Sequence, residues 1–316
     1  MSFFVSDETA LPAFHVGPGR EYTSFTACVW ALRNDLREKI IYVDPGVYDI
    51  FREYRESDIP RPPKDLSSVH TYMPYSAILS PGTHVIGLGD VTFRYAPSPE
   101  ETWDTESKVV SILNLSGSAT VENITLTGKN CRYMIHDETL GLPEFSGAQK
   151  RYYRVNCLRT EPNDAGLGFR ETIGTGFDDR MLLEYTECTF VNRIGGHAFY
   201  MHDRGRSGDI HHNFPEREPY ERRAYTAEES SRIVCRSCTM DAGPDGRAIR
   251  LGNGKSRLRV PVELTDCRFI GSILSCDEGC DGNGTHPNSY MFSLRNCSPA
   301  EIIIRDPSNT YPPQRD

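Results

Sequence analysis

The stretch Val262-Glu263-Leu264-Thr265-Asp266-Cys267-Arg268-Phe269 decides the fold. Its apolar side chains alternate at 262 and 264, then resume at 267 and 269, one residue out of phase. Strict alternation along one strand sends Cys267 to the face opposite Leu264, so a shared interior requires a bend at Asp266. The segment reads as two short strands meeting at a corner. A similar pattern, a strand-like run leading to a small polar residue and then cysteine, occurs in YYRVNCLR at Cys157, LEYTECTF at Cys188, IVCRSCTM at Cys238 and FSLRNCS at Cys297. Steps between the five cysteines are 31, 50, 29 and 30 residues. VENITLT puts Asn123-Ile124 in the same frame, with Ile124 33 residues before Cys157.

Self-similarity at a period of this size marks a solenoid. The 50-residue step is one period plus a polar insertion, a loop over 204–226. Further strand-like runs follow within the repeats: RYMIHDE (132–138), HAFYMHD (197–203), RAIRLGN (247–253), SILSCDE (272–278) and EIIIRDP (301–307). Two or three strands with their turns fill about 30 residues, leaving no room for long helices. Stacked coils of this kind make an all-β, single-stranded parallel β-helix, with equivalent residues about 4.8 Å apart. Cys157, Cys188, Cys238, Cys267 and Cys297 then form an interior packing ladder; disulfides or metal ligation are the rival reading of the same spacing. Cys28, Cys131, Cys235, Cys276 and Cys280 fall outside it.

Composition narrows the function. The 316 residues carry 35 Lys+Arg against 44 Asp+Glu, a formal charge of -9, which argues against a nucleic-acid binder relying on overall basicity. No run approaches the ~18 apolar residues of a membrane span. The opening MSFFVSDETALPAF lacks the basic flank and apolar stretch of a secretory signal, so free thiols in a reducing compartment are expected. With 14 Phe and 16 Tyr, the chain has too much to bury to remain disordered.

Before the repeats, Thr23 or Ser24 can cap a short helix carrying Phe25, Val29, Leu32 and Leu36 on one stripe. Ile40-Ile41-Tyr42-Val43 reads as a buried strand and Asp44-Pro45-Gly46 as a turn. A helix placed here covers the open end of the solenoid. HVGPGREYTSFTACVWAL (15–32) followed by IIYVDPGVYDI (40–50) resembles the opening of pectinesterases and other pectin-lyase-like right-handed β-helices, and GTHVIGLGDVTF (82–93) resembles their next coil. NCRYMIHDE (130–138), GTGFDD (174–179) and GGHAFYMHD (195–203) look most like bacteriophage and prophage members, whose β-helices serve in tailspikes and tail fibres.

The resemblance implies a right-handed β-helix over 15–306, an N-terminal extension over 1–14 able to dock to a tail, and a C-terminal tail over 307–316. It implies a virion tail protein, folded in the host cytoplasm, that binds a cell-surface polysaccharide and other tail proteins, and a homotrimer. The superfamily's enzymes give the alternative, a polysaccharide depolymerase of hydrolase or lyase type. No partnership with nucleic acid or membrane is expected.

Two groups of residues can carry chemistry. Polygalacturonase-like hydrolases have a D-D pair, then G-H-G, then R-I-K; this chain has Asp178-Asp179, Gly195-Gly196-His197 and Arg247-Ala248-Ile249-Arg250, an incomplete match. Two carboxylates flanking a glycosidic oxygen serve as acid and as base or nucleophile, which makes Asp178, Asp179 and His197 the catalytic candidates. A solvated turn is the other reading of the pair. The second group is a polar strip from equivalent strand ends: His136, Asp137, Arg170, His202, Asp203 and Arg250, with Tyr133 or Tyr200 beside them. Such a strip can grip sugar hydroxyls and carboxylates, or its His-Asp pairs can simply tie strand ends into turns. No metal or cofactor is expected; Asp277, Asp281 and Asn283 are rich in oxygen ligands for calcium but lack EF-hand spacing, and Cys276, Cys280 and His286 lack an evident fourth zinc ligand.

Overall fold

Three parallel sheets, one strand from each contributed in turn by successive coils, build the molecule. The computed structural model describes residues 2–59, 76–98, 101, 111–137, 147–164, 171–176, 181–202, 232–251, 262–275, 292–298 and 302–304. Sheet A has nine strands, running from Ala13–Val16 and Lys39–Val43 through Gln149–Tyr153 and Leu182–Thr186 to Phe292–Arg295. Sheet B has seven, from Gly46–Asp49 through Asn156–Arg159 and Thr189–Asn192 to Arg268–Ile270. Sheet C has eight, from Ala77–Leu79 through Tyr133–Asp137, Ile173–Gly176, His197–His202 and Arg247–Leu251 to Ile302–Ile304. Every strand pair is parallel and joins neighbouring coils, which makes the chain a parallel β-helix.

The corner between sheets A and B carries the phase shift seen in the sequence. Asn123, Arg154, Glu187, Ser237, Asp266 and Asn296 hold φ between 52° and 56°, the left-handed region, one residue per coil. Reversing the local twist at one residue lets Leu264 and Cys267 both face inward, at 1% exposure each. The position after the left-handed residue is Ile124, Val155, Cys188, Cys238, Cys267 and Cys297 in successive coils. Here the structure corrects the expected ladder: Val155 occupies the rung assigned to Cys157. Cys157 lies two residues further on, inside sheet B, paired with Leu126 and Phe190. The left-handed residue of that coil is Arg154; Asn156, which mimics the corner residue, is already the first residue of a strand.

The four true rungs have a polar reason as well as an apolar one. Each thiol donates to the carbonyl two residues before it and to a carbonyl of the preceding coil: Cys188 to Thr186 and Tyr152, Cys238 to Arg236 and Tyr185, Cys267 to Thr265 and Cys235, Cys297 to Arg295 and Leu264, all at 3.3–3.6 Å. A small side chain with a weak donor fits the space. Burial pushes the Cys157 and Cys235 thiols well above their ordinary range, and Cys28 up to about 12. The eight described cysteines are free.

Sheet A turns Val121, Tyr152, Tyr185, Cys235 and Leu264 inward, while sheet C contributes Ile135, Ile173, Phe199, Ile249 and Ile273. Tyr152 and Tyr185 stack at 4.8 Å with nearly parallel rings, and Phe190 and Phe199 are edge-on to Tyr185.

Two short helices close the N-terminal end. Helix α1, Phe25–Ala31, is capped by Ser24, whose Oγ accepts from the Ala27 amide, and buries Phe25 and Val29. The expected stripe stops at Leu32: Leu36 lies beyond the helix and is 69% exposed, because the chain turns at residues 32–34 toward the first buried strand. Helix α2, Ile50–Glu56, was not expected. Its Glu53 carboxylate accepts from the Thr26 amide and the Ser24 hydroxyl, so α2 satisfies donors at the start of α1. Residues 2–4 lie against the outside of sheet A, where Ser2 Oγ and the Phe3 and Phe4 amides donate to the buried Glu122 carboxylate and Phe3 stacks on Tyr153. Among the described residues, no helix is long and apolar enough to cross a membrane.

Candidate functional site

The chain between the described strands of sheet C and sheet A varies in length from coil to coil. From A to B the chain crosses in two residues, as at 187–188 and 266–267. From C to A the segments between strands run from 177–181 in one coil to 203–231 in the next. A regular scaffold with variable connections along one sheet is the arrangement that carries binding and catalysis in many folds.

Register fixes what this sheet presents. On its outer face Ile78 pairs with Asn114, His136 with Gly174, Gly174 with Tyr200 and Tyr200 with Arg250. A neighbouring row holds Tyr133, Glu171, His197 and Arg247, the last two paired. His136 and His202 are therefore not equivalent, contrary to expectation. Tyr200 is the counterpart of His136, and His202 stands opposite Gly176, two places further along. The inward column Ile135, Ile173, Phe199, Ile249 decides this alignment, and core packing outweighs the repeated His-Asp pair.

Asp137 is also removed from the expected strip. It points into the solenoid, is fully buried, and accepts hydrogen bonds from the Tyr152 and Tyr185 hydroxyls at 2.7–2.9 Å. The equally buried Lys150 Nζ lies 3.7 Å away. Period two puts 136 and 137 on opposite faces of the strand. Asp178, Asp179, Arg170 and Asp203 lie outside the described residues, as do Asp277, Asp281, Asn283, Cys276, Cys280, His286 and the 204–226 insertion. Among the described residues no group of three or more His, Cys, Asp or Glu is placed to hold a metal.

Exposure rises along the outer face. His136 is 1% exposed and stacks on Tyr133 at 4.6 Å, while the Asn114 amide donates to the His136 carbonyl. Gly174 makes this packing feasible, since a Cβ there would sit 2.4 Å from the Tyr133 ring. In the following coils the face is only slightly more exposed: His197 and Tyr200 are 9% and 8% exposed, and Glu171 and Arg250 are half-buried. His197 Nδ1 lies 3.5 Å from Glu171 Oε1, the Tyr200 ring is 6.2 Å from the imidazole, and the Arg250 guanidinium covers Tyr200 at 4.8 Å. Glu171, His197, Tyr200 and Arg250 thus bring together a carboxylate, an imidazole, an aromatic ring and a guanidinium.

Two residues that sequence reading passed over hold this group in place. Arg159 is fully buried at the end of a sheet B strand and donates to the carbonyls of Cys131, Arg132 and Glu171. In the next coil its pairing partner Asn192 donates to the His197 carbonyl and accepts from the Ile194 and Gly196 amides. Both tie down the chain where it enters sheet C, Arg159 at Glu171 and Asn192 at His197. Glu171 was missed too; its one signal is its place two residues before the inward Ile173.

No family model matches the sequence, and no curated protein matches it. Among solved structures, the pectin methylesterase of Aspergillus niger is similar to this chain at 10% identity, over 95% of this chain and 88% of that one, with a TM-score of 0.44. The strand pairing itself, independent of that likeness, establishes the parallel β-helix.

Proposed function

We propose that this chain is a polysaccharide-binding β-helix whose contact surface is the outer face of sheet C around Glu171, His197, Tyr200 and Arg250. The observation that carries the reading is the meeting of those four side chains on one sheet. Sugars are recognised by aromatic faces against C–H groups, by carboxylates accepting from hydroxyl pairs, and by guanidinium forks on carboxylates. The finer proposal is a bacteriophage tail protein attaching to a host surface glycan, supported by the resemblance of the 130–138 and 195–203 coils to phage members.

Titration of the purified chain with host capsular or lipopolysaccharide glycans tests the reading. Tyr200→Ala and Arg250→Ala are each expected to weaken binding about tenfold or more, the loss of ~1.4 kcal/mol. Unchanged affinity in both variants removes this face from consideration. A second reading, depolymerisation, is favoured by the Glu171–His197 contact, which gives an imidazole with a carboxylate partner suited to proton transfer. Persistent binding with no new reducing ends or unsaturated products over long incubation sinks it. If Asp178→Asn and Asp179→Asn both leave a measured activity intact, those two carboxylates are not its catalysts.

A further inference from the structure

The outer face of sheet B is as regular as the face of sheet C is varied. One row reads Val47, Thr92, Thr125, Asn156, Thr189, Thr239 and Arg268, each paired with the next. The row beside it reads Asp49, Arg94, Thr127, Leu158, Val191, Asp241 and Ile270. Val47 is 69% exposed, Arg94 and Arg268 are exposed, and the threonines, Asn156, Leu158, Val191 and Ile270 are half-buried. The face is open, hydroxyl-rich and aliphatic at its centre, with its charges at the two ends.

The order of those charges is self-complementary. Consider a two-fold axis parallel to the strands and lying just outside the sheet, over the middle strand, Asn156–Arg159. It turns the sheet onto a second copy with the coil order reversed and the strand direction kept. The first coil then meets the seventh, setting Asp49 beside Arg268. The second meets the sixth, setting Arg94 against Asp241. The third, fourth and fifth coils, uncharged in these two rows, meet one another, with Leu158 facing its own copy and Thr127 facing Val191; Arg193 lies just past the fifth strand. Asp241 is already held by Arg193 at 2.5 Å, and Asp49 caps helix α2 and lies 3.9 Å from Arg52, yet a carboxylate has lone pairs for a second cation. In a same-direction stack Arg94 would instead face Arg94, and Asp241 would face Asp241.

We propose that this chain associates through sheet B with a second copy of itself, as an antiparallel two-fold dimer. Seven strands make a face about 29 Å long and about 12 Å wide, or ~350 Å² per copy, at the usual strand spacing. That area belongs with weak, transient contacts, so dissociation constants of ~10 μM or above are expected. The symmetry differs from the trimer implied by the phage resemblance and does not depend on what sheet C binds.

Sedimentation equilibrium over a concentration series, with single-cysteine variants as a geometric check, tests the proposal. Thr92 of one copy faces Thr239 of the other, so a mixture of Thr92→Cys and Thr239→Cys chains should cross-link with a short bis-maleimide. Neither variant alone should exceed the background of the unmodified chain, because like positions lie about 19 Å apart at four strand spacings. Leu158→Asp should weaken the dimer at least tenfold with its melting curve unchanged. A chain that stays monomeric up to millimolar concentration, a trimer, or a Thr92→Cys chain that cross-links to itself overturns the proposal.

Discussion

Replacing Asp137 by alanine tests whether a charge inside the solenoid holds the middle coils together. The carboxylate is fully buried, receives two tyrosine hydroxyls and lies 3.7 Å from the buried Lys150 ammonium. Removing it leaves Lys150 charged in an apolar interior without this counter-charge and orphans the Tyr152 and Tyr185 hydroxyls. Breaking one side of a buried pair costs about 3–5 kcal/mol, and each orphaned hydroxyl adds about 1 kcal/mol or more. The expected loss for Asp137→Ala is therefore at least ~3 kcal/mol. Lys150→Met leaves the carboxylate its two tyrosine donors and should cost less. In Asp137→Ala/Lys150→Met no net charge remains buried, so the double variant should recover much of the loss, with a coupling of about 2 kcal/mol. Urea denaturation followed by far-ultraviolet circular dichroism and tyrosine fluorescence measures all three variants. Coincidence of the two probes shows whether the coils unfold together, which stacked repeats do not always do. A loss below ~1 kcal/mol for Asp137→Ala, or strict additivity in the double variant, refutes the reasoning.

Three further perturbations have defined outcomes. Burial raises the Glu53 carboxyl above its ordinary value, so the folded chain holds a proton that the unfolded chain releases. That stability is present below the ordinary carboxylate range and is lost as pH rises through the raised value. The wild type should therefore fall relative to Glu53→Gln as pH rises above the ordinary carboxylate range, and urea midpoints that move in parallel would contradict it. Gly174→Ala forces the Tyr133 ring off His136 and should cost about 1–3 kcal/mol, with a fall in any glycan affinity; an unchanged melting temperature is the contrary result. Ser237 holds φ 53°, so Ser237→Val should destabilise by about 1–2 kcal/mol while Ser237→Gly is neutral or stabilising; equal effects of the two would show that the corner does not demand a left-handed residue.

What could be read in advance follows from which constraints are local. The bend at Asp266 was legible because alternation of apolar residues reports the side on which each residue sits, and the structure places a left-handed residue there. The parallel solenoid was legible for the same reason, while the number of strands per coil, two or three, was settled only by the pairing. The Cys157 rung was not, because Asn156-Cys157 and Glu187-Cys188 look alike as dipeptides. Only the inward run Tyr152, Val155, Cys157 against Tyr185, Cys188, Phe190 separates them. The His136–His202 equivalence failed in the same way, since a repeated dipeptide was weighed above the Ile135–Phe199 column. Glu171, Arg159 and Asn192 were invisible because their roles depend on carbonyls and side chains of other coils, which one sequence without its register does not bring together.

The two errors of register have one cause and a physical consequence. In a strand the outer face has no independent position; it goes wherever the inner face is locked. His136 reaches the outer strip because Ile135 and Asp137 on either side are fixed inward, one by packing and the other by two tyrosines. In the coils that follow, Phe199 and Met201 set Tyr200 outward, and Ile249 does the same for Arg250. From residue 123 onward the A–B corners repeat without change in length, so they transmit this register from coil to coil. Variation is confined to segments entering and leaving sheet C, where Arg159 and Asn192 re-anchor the chain before each new strand. A solenoid built this way can change its chemistry on one face while the interior stays the same. It also means that an interior substitution such as Asp137→Ala acts at a distance of one residue on the outer strip. Loss of glycan binding by that variant, at a temperature where it remains folded, would measure how strictly the two faces are coupled.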